Sequence, residues 1–339
     1  MDNWVIAVVV LGLAFEYVNG FHDAANAIAT TVLTRALSIR AAVILCASLN
    51  FLGALSSTAV AATMGKGLVD PAYITGAVVI SALLGAIIWD LITWLLGLPT
   101  SSTHALVGGI IGAVVGFRGH ELLHLEGITR VFWGLLLSPL IGVTAAAITM
   151  IAFLWIFGQK PPQKVNRTFR HVQILTAGLM AFGHGSNDGQ KTMGIIAMAL
   201  ASGAALSAGG AMATEFTVPL WVKISCATAM GLGSGAGGWR IIKTLGRNIM
   251  ELQPIHGCAA ELSASVVILG ASAMGAPIST THTVSSTIMG VGLTRNIAMV
   301  KWKVVANVVW AWILTLPASA FIAWTAIHLL KALETGGHP

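Results

Sequence analysis

This sequence is short of charge: Lys, Arg, Asp and Glu together make up 9% of its 339 residues. A soluble globular domain carries about a quarter, so that class is excluded. Cysteine is equally sparse. Cys46, Cys226 and Cys258 stand singly with no CxxC pair, which favours small buried hydrophobes over a disulfide framework or a metal site. Apolar–polar alternation is missing too: the hydrophobic runs are continuous, which excludes a β-barrel. The first run has no charged n-region and no obvious cleavage site, so it is expected to be a retained span rather than a signal peptide. No cofactor and no resident metal are expected.

What is present is length of apolar sequence. Windows recur at Trp4–Val18, Ala41–Met64, Ala72–Leu98, Val131–Phe157, Leu175–Leu206, Phe216–Leu232, Val266–Met274 and Val304–Leu330. A helix crosses a bilayer with roughly 20 predominantly apolar residues, so the chain is expected to be an all-α polytopic membrane protein. Its net charge of +6 then reflects loops on one membrane face rather than nucleic-acid binding.

Two phrases in those windows are written twice. "GLPTSSTHALVGG" begins at Gly97 and "GAPISTTHTVSST" at Gly275, a displacement of 178. "FHDAANAIAT" and "SNDGQKTMGI" align Asp23 with Asp188, a displacement of 165. The same motifs in the same order point to a duplication, and the difference of 13 is most simply an insertion around Arg240–Gln253. Residues 158–170 hold Lys160, Lys164, Arg167 and Arg170 with no acid, so this linker is expected on the cytoplasmic side. The Arg35–Arg40, Trp239–Glu251 and Thr294–Lys303 segments are also basic, whereas Gly65–Asp70 and Arg118–Arg130 balance to zero. All basic loops share one side if Gly97–Gly116 and Gly257–Leu293 are re-entrant hairpins. The reading is a first repeat over 1–157, the linker over 158–170, and a second repeat of inverted topology over 171–339. Broken helices and a midplane site at the repeat interface are the usual build of secondary transporters.

The chemistry sits at the breaks. Pro99 and Pro277 interrupt helices, and each following half-helix offers unpaired N–H groups and a positive dipole end, a ready anion site. Ser101, Ser102 and Thr103 in one copy, and Ser279, Thr280 and Thr281 in the other, add hydroxyl donors, although serine and threonine there could simply cap their helices. His104 and His282 follow each run and are read as packing residues. Glu16, Asn19, Asp23 and Asn26 share one helical face, as do His184, Asn187, Asp188 and Lys191; Gly20 and Gly183–Gly185 suggest local unwinding beside them. Ionisable groups within spans mark pathways. Asp90 and Glu215 are expected near the solvated interface, and Glu261 is left open between structure and function. A carboxylate beside an anion site suits phosphate, which keeps a proton to donate, and repels sulfate, which has none.

"NGFHDAANAIAT", "GLPTSSTHALVGG", "GHGSNDGQKTMG" and "PISTTHTVSS", in this order, resemble the inorganic phosphate transporter (PiT) family over nearly the whole chain. The resemblance implies secondary-active phosphate symport in the inner (cytoplasmic) membrane, two inverted repeats with hairpins, and a homodimer. It carries the family's binding residues onto Asp23, Asn26, Asn187 and Asp188 and onto the two hydroxyl runs. Sodium-coupled members resemble Asn-Asp-x-x-Asn in both copies. Here His22 replaces one amide and Lys191 another, as in the bacterial low-affinity, proton-coupled members that carry metal–phosphate complexes. Proton coupling through Asp23, Asp188 and Lys191 is therefore expected. The alternatives are sodium coupling and a sulfate permease on the same scaffold. An intramembrane hydrolase is disfavoured because the motifs recur symmetrically, whereas catalysis needs a nucleophile and a base in distinct roles; a passive channel has no use for charged groups at two matched breaks.

This topology has a direct test. Cysteines placed at Gln163 and Gly119 should label from opposite faces of the membrane, Gln163 from the cytoplasm. Labelling of both from the outside overturns it.

Overall fold

The computed structural model describes residues 3–66, 69, 75–207, 216–244, 249–295 and 297–335. Glu215 lies outside them, as do the middles of several loops whose charge was weighed above. Twelve α-helices follow one another among the described residues: α1 Asn3–Leu33, α2 Ile39–Leu55, α3 Ala59–Lys66, α4 Gly76–Leu96, α5 Ser102–Arg118, α6 Leu125–Phe157, α7 Pro162–Ser207, α8 Leu220–Ala236, α9 Trp239–Lys243, α10 Pro254–Ala273, α11 Thr280–Arg295 and α12 Trp302–Thr335. Helices α1, α4, α6, α10 and α12 are long and apolar enough to cross a membrane, and α2 with α3 makes a sixth candidate across a 70° bend.

Polarity is distributed inside out. Leu140, Trp155, Trp310 and Phe321 are exposed on the outer surface, whereas Glu16, Asp23, Asp90, Asp188, Lys191 and Glu261 are buried. Lipid, unlike water, accepts the first set and rejects the second. The chain is an all-α polytopic membrane protein.

The elements recur in order. A long helix, a bent pair, a hairpin and a second long helix run from α1 to α6 and again from α7 to α12. Packing is exchanged between the two sets: α5 packs on α12 and α11 on α6, and α2 packs on α7 while α8 packs on α1. Pro139 lies inside α6 and Pro317 inside α12, displaced by the same 178 as the hydroxyl motifs.

Each hairpin has a local cause. Thr75 caps α4, its hydroxyl accepting from the N–H of Val78; the helix then stops at Gly97, whose φ of 69° most side chains avoid. Pro99 withholds a donor, and Ser101 starts α5 by accepting from the N–H of His104. At the second hairpin the same signals recur: α10 closes before Gly275 at φ 67°, and the Ser279 hydroxyl accepts from the N–H of His282 to begin α11.

Three sequence expectations need correcting. The first hairpin is broader than Gly97–Gly116, because its first arm is α4, packed antiparallel on α5. The added length of the second set is not at Arg240–Gln253. Its displacement grows from 165 at Asp188 to 181 at the start of α8, where Leu220 matches Ile39. The insertion therefore falls between Asp188 and Leu220, in a longer α7 and the connection after it. Nor are the helices unwound at Gly20 or Gly183–Gly185, since α1 and α7 run through them. These glycines allow close approach instead. A Cβ on Gly20 would lie 2.5 Å from the Met230 carbonyl oxygen, and one on Gly185 would lie 2.1 Å from that of Asn50.

Gly185→Ala should therefore force α2 from α7 and cost about 1–3 kcal/mol, as overpacking does. Gly270→Ala, with nothing within 4 Å of its added Cβ, should be neutral or stabilising. Thermal unfolding in detergent compares the two.

Candidate functional site

The exchanged packing brings both polar helix faces and both hairpin breaks to one place. From α1, the Asn26 amide donates to the Thr281 hydroxyl at 2.9 Å, and Thr281 in turn donates to the Asp23 carboxylate at 3.2 Å. From α7, Asp188 accepts from the Thr280 hydroxyl at 2.8 Å and from the Lys191 ammonium at 2.5 Å. Lys191 also reaches the Thr103 hydroxyl at 2.5 Å and the Ile278 carbonyl at 2.9 Å. Thr103 belongs to α5 and Ile278 to the break before α11, so one ammonium ties both hairpins to α7. All these side chains are buried, where a charge needs a partner and its remaining hydrogen bonds.

Seven expected residues thus form two hydrogen-bonded groups that meet at adjacent Thr280 and Thr281: Asn26, Thr281 and Asp23 in one, Thr280, Asp188, Lys191 and Thr103 in the other. Ser101 and Ser279 lie beside them as the N-caps already described. Asn187 supports the second break: its amide donates to the Ser272 hydroxyl at 3.0 Å and the Ala276 carbonyl at 3.2 Å. Asn26 Oδ1 is buried with no hydrogen-bond partner among the described residues, and Ser102 is buried beside Asp90. Buried polar atoms are nearly always paired, so the Asn26 oxygen is suited to a ligand. His104 and His282 stack with ring centroids 4.4 Å apart, and His282 stacks on Trp312 at 4.0 Å. The first turns of α5 and α11 therefore face each other.

Around these groups lie other buried polar side chains, some of which the sequence left without a partner or misplaced. His22 was noticed only as a replaced amide. Its Nδ1 lies 2.8 Å from Asp23, and its Nε2 lies 3.1 Å from the Thr93 hydroxyl. His184 joins Asp188 at 3.3 Å to the Asn50 side-chain oxygen at 3.0 Å. Asp90, expected near the solvated interface, is wholly buried, on the inner face of a helix whose other face exposes Ile88, Ile92 and Leu95. Glu261 is buried as well, accepting from the hydroxyls of Thr30, Thr31 and Thr176 and from the Gln173 amide. Those partners come from α1 and α7, too distant in sequence to be seen as one group.

The site can act on ions of both signs. Hydroxyls and two helix N-termini face an anion, while Asp23, His184 and Asp188 offer ligand atoms all within 4.8 Å of one another. That spacing accommodates a cation or a shared proton.

A family model described as "Phosphate transporter family" matches residues 19–323. A protein of Bacillus subtilis described as "Probable low-affinity inorganic phosphate transporter" is 44% identical over 330 residues, 97% of each chain. One of Rhizobium meliloti with the same description is 41% identical over 94% of each. A solved structure described as "The sodium-dependent phosphate transporter" superposes with a TM-score of 0.89, covering 98% of this chain and 100% of the other at 24% identity.

The ion pair should dominate the stability of this core. Lys191→Met strands Asp188 in a dry interior and should cost about 3–5 kcal/mol. Adding Asp188→Asn should recover more than half of the loss. Denaturant unfolding of the single and double variants measures both.

Proposed function

The chain belongs to the phosphate transporter family, and from that premise we propose that it imports inorganic phosphate by symport with protons. Phosphate transport follows from the family; the coupling and the site are our reading. The observation that carries it is the position of Lys191, whose ammonium is held by three oxygens at 2.5, 2.5 and 2.9 Å. Hard cations such as sodium bind through oxygen ligands. A tethered ammonium already fills this oxygen cluster and repels a second cation.

Charge balance supports the same reading. Glu16, Asp23, Asp90, Asp188 and Glu261 are five buried carboxylates, and Lys191 is the buried lysine among them. Adding an anion to such a core calls for compensating positive charge, which protons can supply. Asp23 with His22 at 2.8 Å, and Asp188 with His184 at 3.3 Å, are the pairs that can hold them. A phosphate bearing its own proton donates to a carboxylate and accepts from Ser102, Thr103, Thr280, Thr281 and the N–H groups opening α5 and α11. Arrival as a metal–phosphate complex lightens the charge further, with the metal as part of the cargo.

In this reading the two sets of helices are inverted repeats in a bacterial inner membrane and work by alternating access, with a homodimer as the expected assembly. Sulfate is disfavoured, having no proton to give Asp23 or Asp188. A second reading is sodium coupling. It draws on the description of the solved structure, a likeness in fold, and on the Asp23–His184–Asp188 cluster as a cation site.

Proteoliposomes separate the two. Uptake of labelled phosphate should rise with an inward proton gradient, persist under excess sulfate, and stay unchanged when choline replaces sodium. Lys191→Asn should slow proton-driven uptake on the order of tenfold or more, the worth of a hydrogen bond to a charged group. Uptake that collapses without sodium and ignores the proton gradient overturns the coupling and leaves phosphate as substrate.

A further inference from the structure

A groove of about 650 Å³ opens on the outer surface between α2 and α7, floored by Leu45, Leu49, Leu175, Gly178, Leu179 and Phe182. It is as large as many small-molecule sites, and none of its floor residues takes part in the network around Asp188. The two helices run parallel here: a Cβ on Gly178 would meet Leu49, and one on Gly185 would meet Asn50. Their starts therefore lie at the same end of the groove. His171 lines that end, one turn past Arg167, whose carbonyl its Nδ1 meets at 3.0 Å.

That end is rich in basic residues, with exposed Glu251 before α10, the helix packed along α7, as the acid nearest in level. Arg35, Arg40, Lys164, Arg167 and Arg170 are all exposed there. The sequence holds no acid between Asp23 and Asp70, nor between Glu126 and Asp188. A concave apolar slot leading to a cluster of guanidinium groups at the cytoplasmic membrane level has the chemistry of a lipid site. Acyl chains lie on the leucines, and a phosphodiester headgroup takes paired N–H bonds from arginine.

We propose that this groove binds an anionic phospholipid. A second copy of the chain is the weaker occupant for a physical reason. A two-fold axis along the membrane normal brings equal depths together, so each basic cluster would meet its own duplicate.

Native mass spectrometry of the purified protein, titrated in detergent with phosphatidylglycerol or phosphatidylcholine, tests this. One phosphatidylglycerol per chain should bind at least tenfold tighter than phosphatidylcholine. Arg167→Gln with Arg170→Gln should reduce the preference to twofold or less. Leu175→Trp, an exposed position where a larger ring fills the slot without entering the core, should remove the tight lipid. Equal binding of the two lipids, or a preference that survives the arginine changes, overturns the proposal. So does displacement of phosphatidylglycerol by inorganic phosphate at constant ionic strength, which makes the cluster a free-anion site. Leu175→Trp that splits a dimer while bound lipid is unchanged makes the groove a protein interface, and overturns it too.

Discussion

A charge in a dry interior must be answered, and the fold is arranged around that demand. Asp188 meets Lys191 at 2.5 Å within one helix, which alone would need no second half. The remaining hydrogens of the ammonium, however, go to Thr103 in one hairpin and Ile278 beside the other. Satisfying a single ammonium therefore requires both hairpins to reach the same point from different parts of the chain. Glycine makes this possible: the helices that carry Asp23 and Asp188 touch α8 and α2 almost backbone to backbone. A methyl group at those crossings would hold the polar faces apart and leave the carboxylates unanswered.

The two halves meet this demand with unlike chemistry. At matched positions, α1 has Asn26 and α7 has Lys191, and α1 has His22 where α7 has Asn187. One side of the site therefore carries an ammonium where the other carries an amide, and an amide where the other carries an imidazole. Glu261 extends the contrast, since its matched position in the first half is Leu83, a core residue among other apolar side chains. The same order of elements recurs in both sets of helices, and the side chains at matched positions differ.

Much of this was legible in the sequence because it is local or repeated. The hydroxyl runs, the prolines before them and the Asp–Lys spacing are patterns within a few residues, and each survives in the structure as a cap, a break or an ion pair. What failed depended on distance. Asp90 reads in the sequence as a charge near the interface; the packing of α4 on α1, α5 and α12 buries it. The Glu261 cluster draws on residues as far apart as Thr30 and Glu261, which no periodicity links. The glycines were misread for a related reason: sequence marks a helix that lacks side chains but not the neighbour that needs the space.

Helix α7 runs without a break for 46 residues, which at 1.5 Å per residue is about 69 Å, over twice the roughly 30 Å hydrocarbon layer. One helix therefore carries both an exposed basic end and the buried core residues. Arg170 and Asp188 ride on one rigid rod, about 27 Å apart along its axis. A rod held near Gly185 by the backbone of α2 moves most at its far end, so a tilt at the core would be felt most at the basic end. The surface groove and the core site are thus two regions of one continuous helix.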